Sequence, residues 1–420
     1  MKKEIVVLGG GIIGLCSAYY LAEEGYHVTV VDKNDPLADL NCSTGNAGMI
    51  VPSHFVPLAS PGIIGQGIRW IFNSRSPLYI RPQMNSELLS WLIKFWKSAN
   101  AAHVQKSSPA LKDYNSYSLD LYKKIASENK FDFMFKKQGL LLLCKTEKFL
   151  EEEVHGAQTA NKLGLATRVL DKAGLKLLEP DIDMNVAGGV LYPGDAHLSP
   201  NMFVSAMYTY LQQKPNVRFF IQSEIKQVRI KNNTIEALLT GNGEEIQGDE
   251  FILAAGSWSA KFGKMLGLNI PILAGKGYSM TIQQQEQRLQ TPSIFCEARV
   301  AITPIGNQIR FGGTMELGGE EYKINPLRLE GIINSINNYF PNYNTAPLQQ
   351  VVPWSGLRPC SPDGLPYLGR TKKAHNLVAA TGHAMMGLSL APATGQIVSD
   401  IVAGRKPQVD IDLYSPDRYN

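Results

Sequence analysis

Residues 4–32 carry the pattern that most restricts what this chain can fold into. Glu4-Ile5-Val6-Val7-Leu8 reads as a buried strand, residues 12–24 as a helix closed by Gly25, and His27-Val28-Thr29-Val30-Val31 as a second strand ending at Asp32. Between the first strand and the helix stands Gly9-x-Gly11-x-x-Gly14, and Asp32 follows 18 residues after Gly14. Each part has a job in a dinucleotide-binding βαβ unit. Gly9 permits the tight turn, Gly11 lets backbone approach a pyrophosphate, and Gly14 lets helix and strand pack closely. Free N–H groups around Ile12 and Ile13 and the positive end of the helix dipole favour an anion. Asp32 can accept hydrogen bonds from a ribose diol, with Lys33 beside it. Glycines alone would also suit a tight turn that needs them only for packing. The flanking strands, helix and acid favour the dinucleotide.

The rest of the composition is that of a globular protein. The chain has 420 residues, 44% hydrophobic and 19% charged, which is long enough for two domains. Lys and Arg number 41 against 37 Asp and Glu, and the net charge of +4 without a basic run argues against nucleic acid. The five cysteines are widely spaced with no C-x-x-C, which fits reduced thiols in a cytosolic protein rather than a disulfide framework or a metal site. The apolar N-terminal run is broken by glycines and followed by Glu23 and Glu24, so it reads as strand and turn rather than a signal peptide. No stretch of about 18 uncharged apolar residues suggests a membrane span.

Further along, residues 41–62 read as loop, 86–98, 109–128, 147–164 and 200–213 as helices, and 137–144 and 250–255 as strands. Strands are expected around 217–240, and antiparallel strands over 276–283 and 298–315 turn at Ile305-Gly306-Asn307-Gln308. Residues 376–403 give a last strand, turn and helix. The expected fold class is α/β: a Rossmann-like cofactor domain with an inserted, antiparallel-sheet α+β substrate domain. The cofactor domain takes 1–60, 145–270 and 345–420, and the substrate domain 61–144 and 271–344.

Three features favour FAD over NAD: the glycine motif opens the chain, residues 250–258 end a buried strand in Ala254-Ala255-Gly256, and residues 376–387 end another in Thr381-Gly382 before a helix. Together with Ser43-Thr44-Gly45-Asn46-Ala47-Gly48-Met49-Ile50 and Gly356-Leu357-Arg358-Pro359, these stretches resemble the FAD-dependent D-amino acid oxidase superfamily over essentially the whole sequence. The nearest resemblance is to the bacterial D-amino acid dehydrogenase group.

That resemblance implies a set of site residues. The loop with Ser43, Thr44, Asn46, Ala47, Gly48 and Met49 would pass the isoalloxazine ring. Ile225 would give an adenine-side backbone contact, and Ala255, Gly256 and Trp258 would close on the cofactor. The turn Gly382-His383-Ala384-Met385-Met386-Gly387, preceding the last helix, would stabilise negative charge on the reduced flavin. Arg358 would pair with the substrate carboxylate through its planar fork of donors. Tyr278 stands as a second carboxylate contact, and His54 and His383 as candidates for proton handling, each weighed against packing roles. His197 is read as structural. Cys360 lies out of register with the cysteine that carries flavin covalently in sarcosine oxidases, so the FAD is expected to be non-covalent; no metal is expected.

The implied reaction is oxidative deamination of a D-amino acid, with D-proline or a hydroxyproline standing beside D-alanine, and transfer of electrons to a quinone or another carrier. Departures from the group at Leu191–Asp195 and at Met385-Met386 leave the substrate open. A hydroxy-acid dehydrogenase, a tRNA-modification subunit and a flavin subunit dependent on partner proteins are the alternatives. Residues 62–72 and 88–96 mix aromatics with Arg69, Lys94 and Lys97, which suits either core packing or peripheral contact of a cytoplasmic protein with the inner membrane face. The oligomeric state stays open.

Overall fold

In a computed structural model, residues 2–38, 41–65, 76–80, 85–318 and 322–420 are described. Glu4–Leu8 lies inside a six-stranded sheet, with Glu250–Leu253 and then Leu377–Thr381 on one side, and His27–Val31 and then Val217–Phe220 on the other. These five strands are parallel, and Tyr367–Arg370 closes the edge antiparallel to Leu377–Thr381. The unbroken apolar run of the first strand follows from burial on both faces. Ile5 and Val7 pack into a layer with the helices Ile12–Glu23 and Gly387–Val402, while Val6 and Leu8 face the opposite layer. That second layer includes the three-stranded meander Ile225–Lys231, Thr234–Thr240 and Glu245–Gln247.

The second sheet is built mainly from antiparallel strands. Its order is Trp354–Cys360, Leu273–Gln283, Gln308–Leu317, Val300–Ile305, Ser293–Phe295, Leu140–Cys144, Gly188–Tyr192 and Arg168–Leu170, with Leu78–Ile80 beside Gln308–Leu317. Among its described strands only the Ser293–Phe295/Leu140–Cys144 and Leu78–Ile80/Gln308–Leu317 pairs are parallel. The helix Pro326–Tyr339 covers one face through Ile332, Ile336 and Tyr339. The expected hairpin forms, with Val300–Ile305 and Gln308–Leu317 turning at Gly306.

The two-part α/β architecture stands as expected, but several segments cross the boundaries drawn from sequence. Arg168–Leu170 and Gly188–Tyr192, within 145–270, pair in the second sheet, as does Trp354–Cys360 from 345–420. Conversely, the helix Ala101–Ser127 packs on the cofactor side: the Tyr114 hydroxyl lies 2.5 Å from Thr394 Oγ1, and Tyr122 donates to the Leu388 carbonyl at 2.7 Å. That helix also starts earlier than Pro109 suggests. Asn100 caps it by accepting from His103 N at 3.0 Å, and the helix runs on through the proline. Local pattern reports what a segment is, but not which sheet it joins.

Candidate active site

A single cavity of about 940 Å³ runs from the glycine turn to the glycine-bearing face of the second sheet. This is at the upper end of the range for small-molecule sites, roughly 300–1,000 Å³. At the nucleotide end the walls are mostly backbone. Gly9 has φ +111°, and a Cβ there would lie 2.4 Å from the Ala254 carbonyl oxygen. A Cβ on Gly14 would come within 1.8 Å of the Gly9 carbonyl oxygen. The helix can therefore meet the strand only because both residues lack side chains. Asp32 Oδ2 accepts from Gly10 N at 2.6 Å and Oδ1 from Asn34 N at 2.8 Å; burial nonetheless raises the carboxyl above its ordinary value. Ser43 Oγ accepts from Ile12 N at 3.1 Å. The ammonium of Lys33 sits 3.5 Å from the centre of the Trp258 ring.

Gly9, Gly11, Ile12, Ile13, Asp32, Lys33, Ile225, Ala255, Gly256 and Trp258 all line this cavity, as do Ser43, Asn46, Ala47 and Met49. So does the whole turn Gly382, His383, Ala384, Met385, Met386 and Gly387, which delivers the N-terminus of the 16-residue helix Gly387–Val402 to the wall. Three expected contacts lie off the wall. Gly14 is closed against Gly9, Thr44 turns its hydroxyl to the Asn41 carbonyl, and Gly48 packs on Leu198.

The other end is floored by glycines of two paired strands. Gly275 faces Arg358 and Gly277 faces Gly356 in register, so these residues share one side of the sheet. A Cβ on Gly277 would strike the Arg358 guanidinium at about 2 Å, and one on Gly356 would strike the Trp354 ring at 2.0 Å. Both large side chains thus lie flat over glycine. Arg358 Nη1 donates to the Thr314 carbonyl at 2.8 Å, and Thr314 holds a φ of +66° unusual for a β-branched residue. Arg299 at +53° and Ala384 at +47° also line the cavity, so three strained backbone positions converge there.

Tyr278 reaches the cavity wall, but its hydroxyl does not serve as a second carboxylate contact. It alternates with Gly277 along the strand, so its ring points to the opposite face, where its hydroxyl donates to Glu316 at 2.7 Å. The two histidines also separate. His383 is 3% exposed, and burial lowers its pKa to about 3. The Thr394 hydroxyl donates to the Leu390 carbonyl, so its oxygen accepts from His383 Nε2 at 3.1 Å, which occupies that ring nitrogen within the fold. His54 lines the cavity, and burial with the nearby Arg299 charge lowers its pKa to about 4. Its Nδ1 lies 3.3 Å from Ser53 Oγ, which donates to Asp195 Oδ2 at 2.5 Å. Asp195 is 2% exposed, and burial raises it to about 7. His197 is buried opposite Met49 in a short strand pair. Cys360 is fully buried and off the cavity wall, with its sulfur against Gly275.

Sequence reasoning missed Trp354, Arg299, Thr314 and the Ser53–Asp195 pair. Only the glycine spacing at 275, 277 and 356 hinted that something large lies across those strands.

The walls fit a flavin dinucleotide. Nothing lies within 4 Å of where a Gly256 Cβ would stand, and only Ser43 Oγ, at 3.8 Å, approaches that of Gly11. A carboxylate held by two amides meets the requirement for a ribose contact, and a helix N-terminus reaches the far end. Fold and cavity together define an α/β protein built to hold a dinucleotide. The model of the DAO family of FAD-dependent oxidoreductases matches residues 4–401, and the chain belongs to that family, with FAD as its cofactor. It is 31% identical to a D-amino acid dehydrogenase of Bradyrhizobium diazoefficiens over 421 residues, 99% of both proteins. A D-amino acid dehydrogenase of Helicobacter pylori is 31% identical over 418 residues, again 99% of both. Among solved structures, glycine oxidase from Geobacillus kaustophilus superposes with a TM-score of 0.79 at 22% identity, covering 100% of the present protein and 99% of that one. L-proline dehydrogenase from P. horikoshii superposes at 0.74 and 22%, covering 100% and 98%.

Proposed function

We propose that this protein is an FAD-dependent dehydrogenase of small D-amino acids, converting them to imino acids that water hydrolyses to 2-oxo acids and ammonia. The observation that carries this reading is Arg358: a guanidinium laid over a glycine floor, in the same cavity as the dinucleotide cradle. It supplies a planar fork for an α-carboxylate. The names of the curated relatives supply the amino-acid class and its D configuration. Bound FAD, held non-covalently, supplies the acceptor for the hydride leaving the substrate Cα.

The protein's own residues bind and orient the substrate. Arg358 fixes the carboxylate and so sets where Cα stands. His54 is neutral at physiological pH, and because Ser53 gives its proton to Asp195, the proton of the His54–Ser53 contact sits on Nδ1. Nε2 then carries the lone pair and can accept a hydrogen bond from the neutral substrate amine, orienting it; a ring with so low a pKa is too weak a base to take the ammonium proton. We place this contact with the amine on His54; His383, bonded to Thr394 and buried just before the last helix, is placed in the flavin-side turn. The turn 382–387 and the helix behind it offer positive potential where the reduced cofactor gains charge.

Acyclic D-alanine and cyclic D-proline or hydroxyproline are the candidate substrates, and a quinone or another carrier is the electron acceptor. Anaerobic mixing of the yellow protein with a panel of D- and L-amino acids, prolines and hydroxy acids tests this. Fastest bleaching of the flavin band by a D-amino or D-imino acid is the expected result; bleaching by hydroxy acids alone overturns it. Reoxidation by a quinone analogue faster than by oxygen would support the dehydrogenase assignment, and the reverse would make the enzyme an oxidase.

Peripheral membrane contact belongs to the same proposal. Leu89, Ile93 and Trp96 form one exposed stripe on the helix Ser86–Ser98, beside Lys94 and Lys97. Residues 66–72 of the other aromatic segment lie outside the described residues, and no described helix is long and apolar enough to cross a membrane. Flotation with anionic liposomes should carry the protein upward; protein left at the bottom of the gradient removes this contact.

A further inference from the structure

Arg310 is a buried cation, 8% exposed, with no carboxylate within ion-pair distance among the described residues. Its neighbours are neutral. Nη1 donates to the Thr44 carbonyl at 2.8 Å and the Asn46 carbonyl at 2.7 Å, Nε to Thr281 Oγ1 at 3.0 Å, and Nη2 to Asn201 Oδ1 at 3.4 Å. A buried guanidinium without a counter-charge is costly to keep. Two of its four hydrogen bonds go to alternate carbonyls of the loop that forms one wall of the cavity.

Peptide geometry turns this into a statement about the other side of the loop. None of the peptide bonds among the described residues is cis, so C=O of residue 44 and N–H of residue 45 point in opposite directions, as do C=O of 46 and N–H of 47. With both carbonyls drawn toward Arg310, the Gly45 and Ala47 amides point away from it. Gly45 and Ala47 line the cavity, while Thr44 and Arg310 do not. Neither amide has an acceptor among the described residues, whereas Asn46 N donates to the Ser43 carbonyl and Gly48 N to Asn46 Oδ1. Backbone donors shut inside a protein without a partner are rare.

We propose that Arg310 is a positioning residue for the cofactor: it turns the 44–47 loop so that two N–H donors face an electron-rich edge of the flavin, and places its charge behind both peptides. The inference rests on the flavoenzyme reading above. Polarised donors backed by a positive charge favour the reduced, more negative cofactor. Arg310 thus raises the midpoint potential of the bound flavin as well as its affinity.

The test uses the purified holoenzyme with Arg310→Lys and Arg310→Met. Lysine keeps the charge but is shorter and lacks the Nε and Nη2 donors that brace the group on Thr281 and Asn201, so it holds the two carbonyls less firmly and should weaken FAD retention about tenfold, with a potential near that of the parent. Methionine removes charge and donors, should weaken FAD about a hundredfold or more, and should lower the midpoint potential measured by dye equilibration. A packing role alone would lower the melting temperature without moving the potential, so an unchanged potential in a folded methionine variant overturns the proposal. If that variant does not fold, the lysine variant decides: tenfold weaker FAD retention supports the inference, and parental retention overturns it. A parent protein that binds no FAD would instead overturn the functional reading beneath it.

Discussion

At the nucleotide end of the cavity the binding groups come mainly from residues 9–33, with the turn at 255–258 and the strand start near Ile225. At the substrate end they come from three strands and two loops, reaching from Ser53 to Arg358. The first end works through backbone. Its amides and turns are held by a parallel ladder in register, and its collisions would be with main-chain atoms. The second works through side chains resting in space left by glycines. One residue type serves two purposes here: glycine lets backbone segments approach near Gly9 and Gly14, and lets large side chains lie down near Gly277 and Gly356.

Gly14 is the position least able to accept a side chain. A Cβ there meets the Gly9 carbonyl oxygen and carbon, and neither can move without dismantling the turn. Gly14→Ala should yield colourless protein with a melting temperature lowered by several degrees. A yellow, stable variant would show that the helix can draw back from the strand. Next in size is Arg358→Ala. Removing a charge that anchors a desolvated carboxylate costs about 2–5 kcal/mol, so KM for the preferred amino acid should rise at least thirtyfold. FAD content should stay at the parental level, because the arginine belongs to the other end. Unchanged KM would remove Arg358 from the substrate site.

Two aspartates extend the contrast to pH. Asp32 and Asp195 are both raised by burial, but Asp32 accepts two backbone amides from separate residues and Asp195 depends on Ser53 alone. Asp195 titrates near 7 when folded and near 4 when unfolded. Between those values the native state holds the extra proton, so this group lets stability fall as pH rises from about 4 to about 7, by at most about 4 kcal/mol. Below 4 both states are protonated and above 7 both are ionised, so the slope is confined to that window. Asp195→Asn keeps an acceptor for Ser53 N and removes the charge. It should flatten the dependence of melting temperature on pH in that window, and make the protein more stable than the parent at pH 8. Parallel curves for parent and variant would refute the assignment.

How far each end could be read from sequence follows the same division. Glu4–Leu8, the glycine turn, the helix and Asp32 are contiguous, and each carries a local signature, so the cofactor end was legible almost residue by residue. Arg358 and the 43–49 loop were reached through family resemblance, since their chemistry depends on strands that meet only in three dimensions. Tyr278 shows the cost: a tyrosine one residue from the glycine floor faces the wrong side, and only the strand register reveals it. Arg310 and Asp195 were illegible for another reason. A buried charge looks like any surface charge in a sequence until its neighbours are known.

The smallest effect, and the sharpest test of the two uses of glycine, is expected at Gly277. Its φ lies outside the left-handed region, so alanine brings no backbone strain there. All three of its closest neighbours are guanidinium atoms of Arg358, the far end of a flexible side chain. Unlike the Gly9 carbonyl facing Gly14, that group can move aside, at the cost of its 2.8 Å bond to the Thr314 carbonyl. Gly277→Ala should therefore fold, bind FAD like the parent and raise KM for the amino acid about tenfold, the equivalent of about 1.4 kcal/mol, which is within the range of about 0.5–1.5 kcal/mol for one lost hydrogen bond. The rise should vanish when Gly277→Ala is combined with Arg358→Ala, since the added methyl then has nothing to displace. Additive effects of the two substitutions would mean that the methyl acts on the strand itself, and that glycine serves close approach at both ends of the cavity.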